Sequence, residues 1–399
     1  MDLRTGGRMK RKILILTLFY PHEGSPVSGI FIQDQAQVLS ADYSITVLVP
    51  YLFGLRDPAR RKPASRPQTG RPDETIHWEG MFAPAKLPHF LRARLYRSLV
   101  GRGFSKILSV WGKPDILHAH IVFPAGYLAS ELGKSYGVPV VLTEHTGPFS
   151  VHLRFPFQRR AVRETLHQVD KILAVSPALR QQMQVFEPNI PIEVLGNVVM
   201  TRFFQPKDAS HGKLQNSEIT FLSLALMNKG KGIDDLLSSA RILLNRGVSA
   251  FRLLIGGAGP DLPNLRKLCS RLGLNRQCRF LGMLTRPQVR AWMQETDVFV
   301  LPSLAETFGV AVGEAMACGK PVISTRCGGP EFLLTPETGI LVPVADPTAM
   351  ADAMENFISG KVAFDPRTIR ESVVARFGER AFLRNISAVY DQLCNASTL

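Results

Sequence analysis

Short runs of consecutive apolar residues alternate with stretches of helical periodicity along the whole chain. Such runs, apolar at every position rather than at alternate ones, are typical of strands buried on both faces of a parallel sheet. The predicted strands are 13–18, 45–49, 116–119, 138–143 and 172–175 in a first series, and 219–224, 251–255, 279–281, 298–301 and 322–325 in a second. Each series predicts one doubly wound α/β domain with crossover helices.

The two series are separated by a polar stretch over 203–218 that contains Pro, Gly, Ser and Asn, as linkers do. We therefore predict a first domain over 1–204 and a second over 205–380. Residues 57–88 are rich in Pro, Arg and Gly and predict a long loop. Because doubly wound sheets bind ligands beyond the carboxyl ends of their strands, two such domains facing each other would create a ligand cleft.

Composition supports a folded globular protein, with 45% hydrophobic and 20% charged residues. The apolar run 13–20 ends at Pro21 and is too short to span a bilayer, so we interpret it as a buried first strand rather than a signal peptide. The cysteines are odd in number and form no CxxC, which favours a reducing, cytoplasmic compartment over a disulfide framework or a zinc site. They are Cys269, Cys278, Cys318, Cys327 and Cys394.

The net charge of +15 indicates an acidic partner, and most of the excess lies between residues 56 and 113. No helix-turn-helix, zinc-finger spacing or RNP-like strand accompanies it, so we expect no nucleic acid. Leucines recur at helical spacing over 87–99, with Arg92, Arg94 and Arg97 between them. Two interpretations stay open: a basic helix at an anionic membrane surface, or leucines packed in the core with solvated arginines.

The segment 302–322, PSLAETFGVAVGEAMACGKPV, carries the strongest chemical signal. It follows a predicted strand, and a helix is expected to begin near Phe308 and run to residue 318. The backbone N–H groups of Phe308, Gly309 and Val310 would then point out of a helix N-terminus, where a diphosphate can bind. Two acceptor-only carboxylates, Glu306 in the loop and Glu314 in the helix, flank this pocket and suit the hydroxyls of a nucleotide-sugar.

This segment resembles the E-x7-E signature of the retaining GT-B glycosyltransferases of family 4, and the resemblance extends over most of the chain. It implies two Rossmann-like domains with parallel sheets facing a central cleft. It also implies a helix within 381–399 that crosses back to the first domain. In that family the first glutamate contacts the donor sugar and the second the ribose; by match these are Glu306 and Glu314. The resemblance further implies a metal-independent enzyme without a cofactor, and the sequence has no DxD or His/Cys cluster.

Further segments of the second half resemble the same family. NKGKGIDDLLSSA places Lys231 where the family neutralises the donor diphosphate, although Leu226 stands where an arginine is usual; Lys229 could substitute. Gly257 and Gly259 resemble a turn that lines the nucleotide pocket. The FLG end of a strand at 280–282 and the GG turn at 328–329 resemble family elements as well, and each of these glycine turns could equally be purely structural.

In the first half, Gly29 matches the family glycine at which the backbone approaches donor and acceptor. His145 matches the cleft histidine beside the transferred sugar, where it could stabilise charge in the transition state. His118 and His120 also end a predicted strand; they are either further cleft residues or caps of local backbone. Asn197 resembles a turn at the end of the first domain, where Met200 replaces the usual aspartate.

The leading hypothesis is therefore an enzyme that moves a hexose, with retention, from a nucleotide-diphosphate sugar to an acceptor hydroxyl. The acceptor expected from the resemblance is a saccharide or lipid-linked saccharide of envelope polysaccharide synthesis, and the enzyme would be cytoplasmic or peripheral on the inner face of the membrane. Three alternatives remain: a nucleotide-sugar epimerase of similar shape, a non-catalytic basic binding protein, and a degenerate family member that has lost turnover.

Overall fold

The structure, a computed structural model, describes residues 10–54, 74–84, 86–207 and 218–396. The described residues form two compact units. The N-terminal unit takes the chain up to Val175, Arg180–Leu195 and the residues from Leu383 onwards, and the C-terminal unit takes Ser176–Leu179 and Gly196–Phe382. We predicted the boundary at residue 204; the division of the chain lies at 195–196. Residues 1–9 and most of the predicted linker at 203–218 lie outside the described residues.

The N-terminal unit is a parallel sheet of seven strands in the order β3-β2-β1-β4-β5-β6-β7. Its strands are β1 (Lys12–Leu16), β2 (Ser44–Phe53), β3 (Glu74–Phe82), β4 (Ile116–His120), β5 (Val140–Glu144), β6 (Lys171–Ala174) and β7 (Glu193–Val194). The predicted loop over 57–88 is wrong in part, because β3 pairs with β2 along nine residues. Residues 57–73 and 85 of that loop lie outside the described part of the chain.

The helices up to the end of β7 run along the faces of this sheet as crossover connections. They are α1 (Ile30–Leu39), α2 (His89–Trp111), α3 (Tyr127–Tyr136), α4 (Pro156–Gln168) and α5 (Pro177–Phe186). Helix α2 contains the leucine pattern that allowed a membrane-surface interpretation. Its Leu99, Val100 and Phe104 are buried in the core. Arg97 forms an ion pair with Glu131 on α3. Of the leucines in the pattern, Leu99 is buried, whereas Leu91 and Leu95 are partly exposed. The core-packing interpretation therefore holds at Leu99, and the membrane-surface interpretation stays a prediction.

The C-terminal unit is a parallel sheet of six strands in the order β10-β9-β8-β11-β12-β13. Its strands are β8 (Ile219–Leu224), β9 (Phe251–Gly256), β10 (Cys278–Gly282), β11 (Val298–Leu301), β12 (Val322–Thr325) and β13 (Gly339–Val342). The predicted strands agree with these within about two residues, while β13 was not predicted. The helices after β7 are α6 (Ile233–Asn245), α7 (Leu262–Arg271), α8 (Arg286–Glu295), α9 (Val310–Ala317), α10 (Pro330–Leu333), α11 (Pro347–Ile358), α12 (Pro366–Phe377) and α13 (Glu379–Ala396). The last of them, α13, begins in the C-terminal unit and belongs to the N-terminal unit from Leu383 onwards.

Both sheets contain a point at which the direction of strand addition reverses. In the N-terminal unit β1 lies between β2 and β4, and in the C-terminal unit β8 lies between β9 and β11. The connections that leave the two central strands on either side of such a point diverge, which leaves a crevice at their carboxyl ends where ligands bind. The prediction of two Rossmann-like α/β domains is confirmed, and the loops after β8 and β11 are the first place to look for a site.

No described helix is both long enough and apolar enough to cross a membrane.

Candidate functional site

The loop after β11 is fixed by the turn after β12. The backbone N–H of Glu306 donates to the carbonyl of Cys327 at 3.0 Å, and the N–H of Gly329 donates to the Glu306 carbonyl at 2.8 Å. Gly328 has a φ of 114°, which favours glycine. A Cβ on Gly329 would lie 2.4 Å from the backbone nitrogen of Phe308. The GG turn is thus required so that two loops can touch, and their contact sets the position of Glu306.

The side chain of Glu306 receives two hydrogen bonds on the same oxygen. Its Oε1 accepts from the Nζ of Lys231 at 2.7 Å and from the Oγ of Ser303 at 2.8 Å. The Glu306 and Lys231 side chains are 17% and 25% exposed, so the ion pair is partly shielded from solvent but open to a ligand. The structure therefore brings together two of the predicted site residues, and it adds Ser303, which the sequence analysis did not single out.

The loop after β8 holds Lys231 in place. The Asn228 carboxamide oxygen accepts from the N–H of Gly230 at 3.1 Å. Gly232 has a φ of 59°, and a Cβ there would lie 2.0 Å from the carbonyl oxygen of Pro302. The N–H of Leu304 donates to the Gly230 carbonyl at 2.9 Å, so a backbone hydrogen bond joins the loops after β8 and β11. Neighbouring Lys229 is exposed and has no such constraint.

Helix α9 begins at Val310, two residues later than predicted, because its N-cap Gly309 adopts a φ of 87°. Phe308 precedes the helix, and its ring is buried against Phe332 and Phe377. Its N–H therefore precedes the first turn of α9, and its role in donor binding stays a prediction. The first-turn N–H groups, which have no acceptor one turn earlier, include those of Val310 and Ala311. An anion at this helix start would meet them.

Glu314 lies one turn into α9 and is 14% exposed. The nearest cation described is Arg286 at the start of α8, whose Nη2 lies 4.0 Å from the Glu314 Oε1. The Arg286 guanidinium also lies over the ring of Phe203 at 5.4 Å from its centroid. Glu306 and Glu314 thus have different basic neighbours, and Arg286 is a site residue that no motif indicated.

The glycines after β9 allow the chain to pass close to the segment after β8. Gly257 has a φ of 124°, and a Cβ there would lie 1.8 Å from the carbonyl oxygen of Ala225. A Cβ on Gly259 would lie 2.3 Å from the carbonyl oxygen of Met227. The Gly257 N–H donates to the Gly282 carbonyl at 2.7 Å. Close approach of the protein backbone therefore explains both glycines. Leu226, where the family usually has arginine, lies between Ala225 and Met227, and its side chain is 52% exposed.

In the N-terminal unit, Gly29 is the N-cap of α1 with a φ of 64°, and a Cβ there would lie 2.2 Å from the carbonyl oxygen of Phe19.

The turn after β5 is fixed by Glu144, a buried carboxylate that accepts from the backbone N–H groups of Val122, His145 and Thr146. Burial raises the pKa of Glu144, but these donors and His152 outweigh it and hold the pKa below its ordinary value.

The histidine at the middle of β4 is structural. His118 is fully buried, with its Nδ1 2.7 Å from the Tyr390 hydroxyl and its Nε2 2.8 Å from the Thr143 hydroxyl. Burial, followed by the nearby His145, lowers the pKa of His118 to about 3, so this ring is neutral in the folded protein at physiological pH. The interpretation of His118 as a ligand-facing residue is wrong.

His120 and His145 form a hydrogen-bonded pair. The His120 Nδ1 lies 2.9 Å from the His145 Nε2, and the rings are stacked with centroids 5.1 Å apart. His120 is fully buried and His145 is 7% exposed, with the ring of Phe31 packed on it at 4.7 Å. Burial, followed by His118 and His145, lowers the pKa of His120 far below its ordinary value. His145 is therefore an oriented imidazole with little exposed surface.

Within the described ranges, no cluster of three or more His, Cys, Asp or Glu residues could hold a metal ion.

Two family models match this chain, one in each unit. "Glycosyltransferase Family 4" matches residues 32–203, and "Glycosyl transferases group 1" matches residues 218–359. The second match contains every C-terminal site residue described above, from Lys231 to Glu314.

Among curated proteins, the chain is 28% identical over 288 residues to N-acetyl-alpha-D-glucosaminyl L-malate synthase of Bacillus anthracis, which covers 69% of this chain and 74% of that protein. It is 25% identical over 367 residues to the putative teichuronic acid biosynthesis glycosyltransferase TuaC of Bacillus subtilis, covering 87% and 89%. Both alignments extend through most of each protein.

Among solved structures, sucrose-phosphate synthase from Thermosynechococcus elongatus has a TM-score of 0.80 at 19% identity, covering 97% of this chain and all (100%) of that one. Anabaena Alr3699/HepE in complex with UDP-glucose has a TM-score of 0.72 at 17% identity, covering 96% and 99%. At such identities the likeness concerns the fold, and it agrees with the fold class predicted from the sequence.

Proposed function

The chain belongs to the group 1 glycosyltransferases of family 4, with the GT-B fold, and from this premise we propose that it transfers a hexose, with retention, from a nucleotide-diphosphate sugar. The observation that carries this proposal is the ion pair of Lys231 and Glu306 at the switch point of the C-terminal sheet. It places a cation and a hydrogen-bond acceptor side by side, next to the N-terminus of α9.

In this proposal the donor diphosphate lies against the first-turn N–H groups of α9 and the ammonium of Lys231. The bond between the sugar C1 and the diphosphate oxygen breaks while C1 bonds to the acceptor oxygen, and the proton of the acceptor hydroxyl passes to the departing diphosphate. The negative charge that builds on the diphosphate is stabilised by Lys231, so the lysine acts mainly in the transition state. Glu306 receives Lys231 and Ser303 on Oε1, which leaves Oε2 to accept from a sugar hydroxyl.

Glu314 would accept hydrogen bonds from the ribose hydroxyls, with the Nη2 of Arg286 4.0 Å from its carboxylate. We also keep three residues of the loops after β8 and β9 as donor-binding residues. They are the exposed Lys229, Gly257 and Gly259. HepE, a structural neighbour, is described in complex with UDP-glucose, which supports a nucleotide-sugar as the donor. We propose that no metal ion or cofactor takes part, since Lys231 and the backbone amides supply the positive charge.

His145 is proposed to donate to a hydroxyl of the transferred sugar. The hydrogen bond between its Nε2 and the Nδ1 of His120 orients the ring. Gly29 is kept as the glycine at which, by match to the family pattern, the backbone approaches donor and acceptor. Replacement of His145 by alanine is expected to remove most turnover while donor affinity persists. Unchanged release of nucleotide by this variant would exclude the role.

The proposed acceptor is a saccharide or lipid-linked saccharide of envelope polysaccharide synthesis. The similarity to TuaC, named for teichuronic acid biosynthesis, supports a polysaccharide product. A peripheral position at the inner face of a membrane would suit such an acceptor, and exposed Arg94 and Arg102 on α2 are the residues proposed to face anionic lipid.

The test is a turnover assay with a panel of nucleotide-sugars and acceptor saccharides, with and without EDTA. We expect one donor to release its nucleoside diphosphate only when an acceptor is present, at a rate that EDTA leaves unchanged. NMR of the product should show the anomeric configuration of the donor. Conversion of a donor to its epimer without acceptor, or inversion in the product, would contradict the proposal.

A further inference from the structure

A cavity lies at the amino ends of the strands of the C-terminal sheet, the end opposite to the proposed donor site. Its volume is ≈ 930 Å³, within the range of small-molecule sites. Its floor is one face of β8, β9 and β10, because the sheet register pairs Thr220 with Arg252 and Leu254 with Arg279. We call it the arginine groove, defined by Thr220, Arg252, Leu254, Arg276, Arg279 and Trp292.

The charges that line the groove are unbalanced. Arg252 is paired with Glu218 at 2.7 Å, and Glu295 is paired with Lys207 at 2.6 Å. Arg276 and Arg279 are exposed, and neither forms an ion pair or a side-chain hydrogen bond with any residue that the structure describes. Two uncompensated guanidinium groups on one wall favour an anionic ligand, since each can bind a carboxylate or phosphate through two parallel hydrogen bonds.

The opposite wall offers an aromatic surface. Trp292 on α8 is half-buried, and its indole N–H has no acceptor among the described residues. A half-buried indole presents an apolar face and one hydrogen-bond donor, which matches a sugar ring with its hydroxyls. The carboxamide of Gln277 lies in the same lining. Aromatic face, amide and arginines together suit a ligand that is both hydroxylated and acidic.

We propose that the arginine groove binds an acidic saccharide, one that carries carboxylates or phosphates on its sugar units. The groove is separate from the proposed donor site, because Lys231 and Glu306 follow the carboxyl ends of β8 and β11 while the groove residues lie at the amino ends of β8, β9 and β10. A saccharide held there would stay on the enzyme between turnovers and raise the effective concentration of acidic chains.

The test is a calorimetric titration of the full-length protein with tetragalacturonate and with neutral maltotetraose at low salt. We expect binding of the acidic oligosaccharide only, weakened about tenfold or more in the double variant Arg276→Gln/Arg279→Gln because two charge-assisted contacts are lost. The matched control is Lys267→Gln/Arg271→Gln, which removes two exposed charges from α7, outside the groove. Binding of a nucleotide-sugar should stay unchanged in both variants.

Three results would overturn the proposal. The first is absence of tetragalacturonate binding by the wild-type protein. The second is equal weakening in the control variant, which would show that net charge alone attracts the ligand. The third is displacement of tetragalacturonate by single-stranded RNA or polyglutamate at the same charge concentration, which would show a general anion site. None of these results bears on donor binding, which the nucleotide-sugar titration reports independently.

Discussion

Polar side chains end the central strands of both units, yet their surroundings differ. In the N-terminal unit, His118 and His120 hydrogen-bond to other protein groups in the interior and have no exposed surface. In the C-terminal unit, Lys231 and Glu306 pair with each other and stay partly exposed beside a helix start. Buried polar groups of the N-terminal unit thus bond to the protein itself, whereas the partly exposed pair of the C-terminal unit is open to the ligand that we propose there.

The difference comes from the residues that follow the strands. In the N-terminal unit, the ring of Phe31 on α1 packs on His145, and His118 and His120 are fully buried. After β8 and β11, Gly232 and Gly309 adopt positive φ and let the backbone turn sharply, and the first-turn N–H groups of α9 have no acceptor one turn earlier. A polar residue at a strand end thus indicates a ligand site only when its neighbours leave it accessible.

The contrast between the two units is tested most directly by removing Lys231, the cation of the proposed site in the C-terminal unit. Lys231→Ala should lower kcat by about 10²- to 10³-fold, the loss typical of a group that stabilises charge in the transition state. The melting temperature should change little, since the pair with Glu306 is only partly buried. Steady-state kinetics and thermal unfolding check both. Lys229→Ala is the comparison variant, since Lys229 is also a candidate donor-binding residue. We expect a smaller loss there, and a larger one would move the phosphate contact to Lys229.

Mild acid should lower the stability of the N-terminal unit before that of the C-terminal unit. His118 stays neutral in the folded protein down to about pH 3, whereas the unfolded chain takes up this proton below about pH 6.5. The unfolded state binds more protons between these values, so the free energy of unfolding falls as the pH falls, by about 1.4 kcal/mol per pH unit for this group. All described histidines belong to the N-terminal unit.

Urea titrations between pH 7 and 5 measure this slope, and hydrogen exchange assigns it to a unit. His118→Gln, which keeps hydrogen-bonding groups but cannot titrate, should flatten the slope, while Gln at the exposed His167 should not. Equal slopes in wild type and His118→Gln would mean that His118 is not the group responsible.

Glu314→Gln sharpens the account of donor binding. The amide is a poorer acceptor than the carboxylate for ribose hydroxyls, and a hydrogen bond to a charged group is worth about 1.5–3 kcal/mol. We expect about tenfold weaker binding of a nucleoside diphosphate by calorimetry. Glu371→Gln, an exposed site on α12, serves as the control. Identical affinities for all three proteins would remove Glu314 from the site.

The smallest effect concerns the basic helix α2. Each exposed basic residue near an anionic surface contributes about 1 kcal/mol, so Arg94 and Arg102 would give weak attachment at most. Sedimentation with vesicles that contain anionic lipid should show partial binding at low salt, absent with neutral vesicles and reduced in Arg94→Gln/Arg102→Gln. Equal sedimentation with both vesicle types would leave α2 as a core-packing helix alone.

The sequence predicted most strands because their residues are apolar at consecutive positions, a pattern that long-range packing does not alter. It missed β3, since ETIHWEGMF alternates polar and apolar residues and follows a stretch rich in Pro and Arg. It placed the start of α9 two residues early because the positive φ of Gly309 is set by packing of the loop. Helix ends depend on such local backbone states more than on periodicity.

The candidate site could be predicted residue by residue but not as a set of contacts. Lys231 and Glu306 are 75 positions apart, and only the sheet order brings β8 next to β11. Ser303 and Arg286 belong to no motif, so they were found only through their contacts. His118 and His145 follow the same pattern of strand-end histidines in the sequence. The structure shows the difference between them, since His118 is fully buried and His145 is 7% exposed.

The central claim is that the donor binds the loops after β8 and β11. Hydrogen–deuterium exchange of the protein with and without UDP tests it most directly, because the proposed contacts include backbone N–H groups. We predict slower exchange in peptides that cover 228–232 and 302–318, and weaker protection of the same peptides by UDP in Lys231→Ala at equal ligand concentration. Protection confined to residues 116–145, with none in the two loops, would contradict the account.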